Sequence, residues 1–208
     1  MKTKAEIKFN EIVKSCFHER LKPLKFKKKA NNFYRDLGEI GQIINIQKSM
    51  FRSKENISFT ANIGIFSPIY WDSEYNFKVD PEPPAYPTEP VSIIRTRIGR
   101  FIDGKDKWWD LDERANVENI KSELTETLEN KILPYFEKIK SNESLIKFIE
   151  TEYQNYNSTY VKFVMYGELG MKDKLEQIYP ILINECTKHQ LSHIKERASK
   201  YGIQKEHS

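Results

Sequence analysis

Three stretches of alternating residues place amide and guanidinium groups on one side of a sheet. In INIQKS, Ile44 and Ile46 point one way and Asn45 and Gln47 the other. In NISFTANIGIF, Phe59, Ala61, Ile63 and Ile65 alternate with Ser58, Thr60, Asn62 and Gly64, and in VSIIRTRIGRF, Ile94 and Ile98 oppose Arg95, Arg97 and Gly99. Asn45, Gln47, Thr60, Asn62, Arg95 and Arg97 therefore make a candidate binding face. Asparagine and glutamine are poor strand formers, and neighbouring arginines repel unless an acid lies between them. One reading is an open groove that offers donors to a carboxylate, phosphate or peptide. The preferred reading is that a later segment covers the face, with Asp72, Asp103 or Asp106 pairing the arginines, because buried polar networks are often structural.

The run KDKWWDLDE holds two adjacent tryptophans among charges. Neighbours in a strand or helix diverge, so one flat core surface does not bury both. The expectation is a structural clasp of Asp106, Trp108 and Trp109, with the two rings facing different layers and both largely buried. Asp110 or Asp112 is expected to cap the helix that follows. Cys186, His189 and His193 have the offsets of ligands on one helix face. Cys186 also completes an apolar stripe, so no metal or other cofactor is expected. Cys16 and His18, two apart on a helix, face different directions and make no catalytic pair. The chain has no Gly-rich phosphate loop, nucleophile elbow, zinc-protease helix or Cys-x-x-Cys.

The elements that must position these groups begin with an amphipathic helix. Phe9, Ile12, Val13, Cys16, Phe17 and Leu21 recur at spacings of three and four, and Pro23 ends the run. A hairpin from Asn31 to Ser49 and the two later strands give four antiparallel strands. Between the third and fourth, residues 67–90 are too rich in proline for helix, but Tyr70, Trp71, Tyr75, Phe77 and Tyr86 need something to pack on. A loop folded over the sheet is expected. Val117, Ile120, Leu124, Leu128 and Ile132 then form a helical stripe that Pro134 should kink or end. Further amphipathic segments follow, with a bend expected at Pro180 and an antiparallel hairpin from YVKFVMYGEL and KDKLEQIYPILINECTK. The fold class is α+β: an N-terminal helix on a four-stranded, mostly antiparallel sheet, then a C-terminal helical bundle. The expected domains are residues 1–140 and a helical extension, 141–208, packed on them.

Composition bounds the setting. Of 208 residues, 38% are hydrophobic and 31% charged, enough to fill a core and solvate a surface. No run reaches the length of a membrane span and the start lacks a secretory apolar stretch, so a cytoplasmic protein with reduced thiols and no membrane partner is expected. The net charge of +4 is uneven. Residues 1–60 carry 14 Lys or Arg against 6 Asp or Glu. That surplus, with KFKKK at its centre, suits an acidic partner or lysines that guard a strand edge. The acids around the tryptophans argue against nucleic acid as a partner.

FKKKANNFYRD, INIQKS, FTANIGI, RTRIGR and DKWW occur in the order of a bacterial family, domain of unknown function 4304, and the first 140 residues or so resemble it. The resemblance implies that Gln47, Asn62, Arg97, Gly99, Asp106, Trp108 and Trp109 sit in family motifs. It implies no reaction. The leading expectation is a non-enzymatic interaction module that neutralises or regulates another protein. The alternative is a hydrolase or transferase acting on an anionic small molecule, with Arg95 and Arg97 as the clamp and Asp106 as acid or base.

Overall fold

The computed structural model describes residues 2–51, 53–75, 82–153 and 158–203. The fold is α+β, and the chain divides into two compact units, one of residues 1–67 and 83–141 and one of 68–82 and 142–208.

In the first unit, Thr3 and Glu6 form a reciprocal capping box that opens α1 (Lys4–Ile12). The helix runs on through a π-helical stretch (Val13–His18) into α2 (Glu19–Leu21). The apolar stripe read from the sequence is buried throughout, from Phe9 to Leu21. The helix closes with the amide of Phe26 on the carbonyl of Leu21 at 3.2 Å, and Lys25 takes φ 67, a position where glycine is usual.

The sheet has six strands: β1 (Lys27–Lys29), β2 (Asn32–Asp36), β3 (Gly41–Lys48), β4 (Ile57–Phe66), β5 (Ile94–Arg97) and β6 (Trp109–Leu111). Their order is β1-β2-β3-β4-β5, with β6 also on β4, and every pairing is antiparallel. Two strands thus exceed the four expected. A run of lysines and a three-residue WDL segment show no alternation long enough to reveal them. β5 is also shorter than expected, because Gly99 opens a single helical turn and faces no strand.

Between β4 and β5 the chain first forms α3 (Pro68–Tyr75), which belongs to the second unit. The expectation of a non-helical excursion fails there, because Pro68 occupies the first turn, where its missing N–H is no loss. Phe77 lies outside the described residues. The chain returns through a 3-10 turn (Glu89–Val91), β5 and α4 (Gly99–Ile102). After β6, Asn116 caps α5 (Val117–Thr127), its side chain accepting from the amide of Asn119. Asp110 and Asp112, the expected caps, lie earlier, in β6 and in a turn where Asp112 accepts from the amide of Arg114. α5 continues through π-helical Leu128–Ile132 into α6 (Leu133–Lys138), with Pro134 in its first turn.

Register separates the faces of the sheet. Ile44 stands opposite Ile63 and Phe33, while Asn45 stands opposite Asn62 and Asn32. On the apolar side Phe9 meets Phe59 edge-on at 5.4 Å, a pair worth about 0.5 to 1.5 kcal/mol beyond its buried area. Gln42 shares that side and is fully buried. Its amide donates to the carbonyls of Phe136 and Ile139 at 2.8 and 2.9 Å, and Arg35 donates to its oxygen.

The second unit joins α3 to α7 (Asn142–Thr151), α8 (Ser158–Glu168), α9 (Lys172–Glu185) and α10 (Lys188–Lys200). α8 and α9 form the expected hairpin, with Phe163 stacked on Tyr179 at 6.0 Å, and Pro180 lies inside α9. Buried Arg197 ties α10 to α3: it reaches Glu74 at 2.7 Å and donates to the carbonyl of Ser73 at 2.7 Å.

Candidate functional site

The polar side of the sheet gathers part of the predicted face. Asn45 donates to Asn32 at 2.7 Å, and Asn62 donates to Asn45 at 3.1 Å and to Gln47 at 2.9 Å. These amides form a ladder across three strands. Asn62 is buried at 6% exposure and Gln47, at the open end, is exposed. Thr60 is fully buried, and its hydroxyl has no hydrogen-bond partner among the described residues.

Arg97 stands in register with Asn62 and leads out of the ladder. It donates to Asp106 at 2.6 Å, and its guanidinium carbon lies 5.3 Å from the Trp108 ring centre. The Trp108 N–H also donates to Asp106, at 3.2 Å. Arg95 does not join this group: it donates to buried Glu89 at 2.5 Å. Of the expected acids only Asp106 pairs with a face arginine. Asp103 accepts from the amide of Lys105, and Asp72 belongs to the second unit. Glu89 lies in the Pro-rich excursion, where no periodicity of the sequence assigns it a face.

Part of the face is covered. A Cβ on Gly64 would lie 2.3 Å from the Ser92 hydroxyl, so glycine there admits the chain returning toward β5. Tyr86 donates to the carbonyls of Lys27 and Asn32 at 3.0 and 2.8 Å and packs edge-on against Tyr34 at 5.5 Å. Burial, aided by the charge of Asp36, pushes the Tyr34 hydroxyl up to about 12. The Gly64 end is therefore closed by residues of the chain itself, while Gln47, Arg97 and Trp108 keep some exposure.

The tryptophans part as expected, with one correction. Trp109 is buried at 5% exposure on the apolar side, stacked on Phe59 at 5.5 Å. Its N–H donates to Glu123 at 2.8 Å, and Lys107 pairs with the same carboxylate. Burial raises the Glu123 carboxyl, but hydrogen bonds from Lys107 and Trp109 outweigh that and hold it below its ordinary value. Trp108 is only partly buried, on the polar side, because it lies before β6 begins and is held by two side chains that are themselves partly exposed.

The face can donate amide hydrogen bonds from its open end. Its arginines are neutralised by Asp106 and Glu89, so an anion would have to displace a carboxylate from each. A groove of about 490 Å³ elsewhere in this unit includes Arg20, Lys121, Glu118 and Glu129 in its walls, and these also pair with one another. Among the described residues no three His, Cys, Asp or Glu converge on a metal position. Cys186 ends α9 and Thr187 caps α10, so the cysteine and the two histidines sit on different helices rather than one face. His193 lies 3.4 Å from the Tyr160 hydroxyl.

Residues 17–138, more than half of the chain and all of the sheet, match the family described as domain of unknown function DUF4304. The chain belongs to the DUF4304 family. The match takes in the whole polar face, Asp106, both tryptophans and β1, so the DUF4304 segment carries every group described at this site. No curated protein and no solved structure matches the chain. No helix among the described residues is long and apolar enough to cross a membrane.

Proposed function

We propose that the DUF4304 segment is a protein-interaction module that receives an acidic partner along its lysine edge, and by binding neutralises or regulates that partner. The observation that carries this reading is β1. It is the terminal strand, paired on one side by β2, and its three residues are exposed lysines. Lys22 and Lys25 precede it in the same exposed turn, and none of the five has an ion-pair partner among the described residues. Lysines on an edge repel ordinary strands. The same charge favours an acidic strand, adds to its rate of encounter and leaves main-chain groups to pair with it. Tyr86 fixes this edge from the polar side, with Lys29 5.9 Å from its ring centre.

The test is a cross-linked pull-down from the native cell with the wild type and with Lys27→Glu/Lys28→Glu. The wild type should retain a stoichiometric acidic protein, weakened by salt, and the variant should lose it while keeping its melting temperature. Equal recovery by both proteins would refute the lysine edge.

A further inference from the structure

The loop between β3 and β4 carries the most exposed large apolar side chains of the first unit, Met50 and Phe51, at 90% and 93% exposure. Two neighbours that leave nearly all of their surface in water project from a convex tip and belong to no flat patch. Side chains hold the backbone below them. Ser49 accepts from the amide of Phe51 at 3.3 Å, Ser53 accepts from the amides of Glu55 and Asn56 at 3.2 and 3.3 Å, and the Thr3 hydroxyl donates to the carbonyl of Lys54 at 2.6 Å.

The base of the tip is basic. Lys48 and Lys54 line a depression of about 150 Å³ with Ser49, Ser53, Ile57 and Glu6. The Glu6 carboxylate is committed to the amide of Thr3 at 2.9 Å, and Lys2 lies nearby at the exposed start of the chain. Register adds further charge at this end of the sheet. Asn32 stands opposite Asn45, and the amide of Ile46 bonds the carbonyl of Asn31, so the turn after Lys28 and Lys29 lies two residues short of the Lys48 end of β3. Glu55 and, in and just after β6 beside Ile57 and Ser58, Asp110, Asp112 and Glu113 are the nearby counter-charges, and Lys4 pairs with Glu113.

We propose that Met50 and Phe51, with Lys2, Lys48 and Lys54 at their base, form a wedge that seats the chain on an anionic lipid surface. Apolar tips enter the headgroup layer while lysines stay with the phosphates, and the two terms together hold a peripheral protein that neither holds alone. A wedge needs only a pair of residues and no spanning segment. The basic collar favours lipid over an apolar pocket in another protein.

Co-sedimentation with vesicles of phosphatidylcholine alone and of phosphatidylcholine with phosphatidylglycerol tests the wedge. Binding is expected only with phosphatidylglycerol and should weaken as salt rises. Met50→Ser/Phe51→Ser should lower it on the order of tenfold or more, with an unchanged melting curve because these side chains touch little of the protein. No binding to phosphatidylglycerol vesicles, or binding that the double variant retains, overturns the wedge. A protein cross-linked through residue 51 in the absence of vesicle binding also overturns it and assigns the tip to that protein.

Discussion

Trp108 and Trp109 are adjacent in sequence, and their environments predict different penalties for removal. Trp109→Ala empties a ring-sized space beside Phe59 and removes one of the two donors to Glu123, so a loss of about 3 to 5 kcal/mol is expected in urea denaturation. Trp108→Ala removes a cation–π contact at a partly exposed site, worth about 0.5 to 1 kcal/mol. Arg97→Ala belongs with the second, since its pair with Asp106 is 40% and 49% exposed and such pairs contribute about 1 kcal/mol or less. That is smaller than a fully covered arginine would lose. Glu123 adds a pH dependence. Its folded pKa is depressed, so the stability it contributes is present above its unfolded value, roughly 4.3, and is lost as pH falls through the lower folded value. Glu123→Gln should flatten the acid limb of stability measured against pH.

The turn between β1 and β2 predicts a gain at the scale of a single element. Ala30 takes φ 50, a conformation that a side chain disfavours and glycine adopts freely. Ala30→Gly should raise stability by about 0.5 to 1 kcal/mol, read as a shift in the urea midpoint with unchanged slope. The strands themselves were legible to different degrees, for physical reasons. β3 alternates from Ile44 to Lys48 and β4 from Ile57 to Ile65, so Asn45, Gln47, Thr60 and Asn62 could be assigned a side before any coordinate. β1 is three lysines and β6 three residues, and neither contains a period. The helix cap was similarly underdetermined, because Asp110, Asp112 and Asn116 are all capping residues, and the pairing of β6 with β4 decides among them by holding the chain extended through Leu111. Parity alone would have placed Gln42 with Ile44 and Ile46 on the apolar side. Its carbonyl partners on α6 and just beyond it could not have been read.

At the scale of the whole molecule, the α+β class followed from the change of period along the chain, whereas the make-up of the two units did not. α3 interrupts the sheet sequence at Pro68 yet belongs to the second unit, and the groups that hold it there, Glu74 with Tyr160 at 2.8 Å and with Arg197, are far apart in sequence. Arg197→Met should cost about 3 to 5 kcal/mol, since it leaves Glu74 without its buried cation. The same distance between pattern and placement applies to function. The residue types of the polar face are out of place on an exposed strand, and its ladder is largely satisfied within the chain. The lysine edge, by contrast, is exposed and its lysines have no ion-pair partner among the described residues. Hydrogen exchange on the DUF4304 protein, free and with whatever protein the pull-down captures, tests that distinction most directly. Binding at the lysine edge should slow exchange at the β1 amides around Lys28 and leave those of Asn62 and Arg97 unchanged. Slowed exchange at Asn62, Arg97 and Trp108 with β1 unaffected would place the interface on the polar face instead.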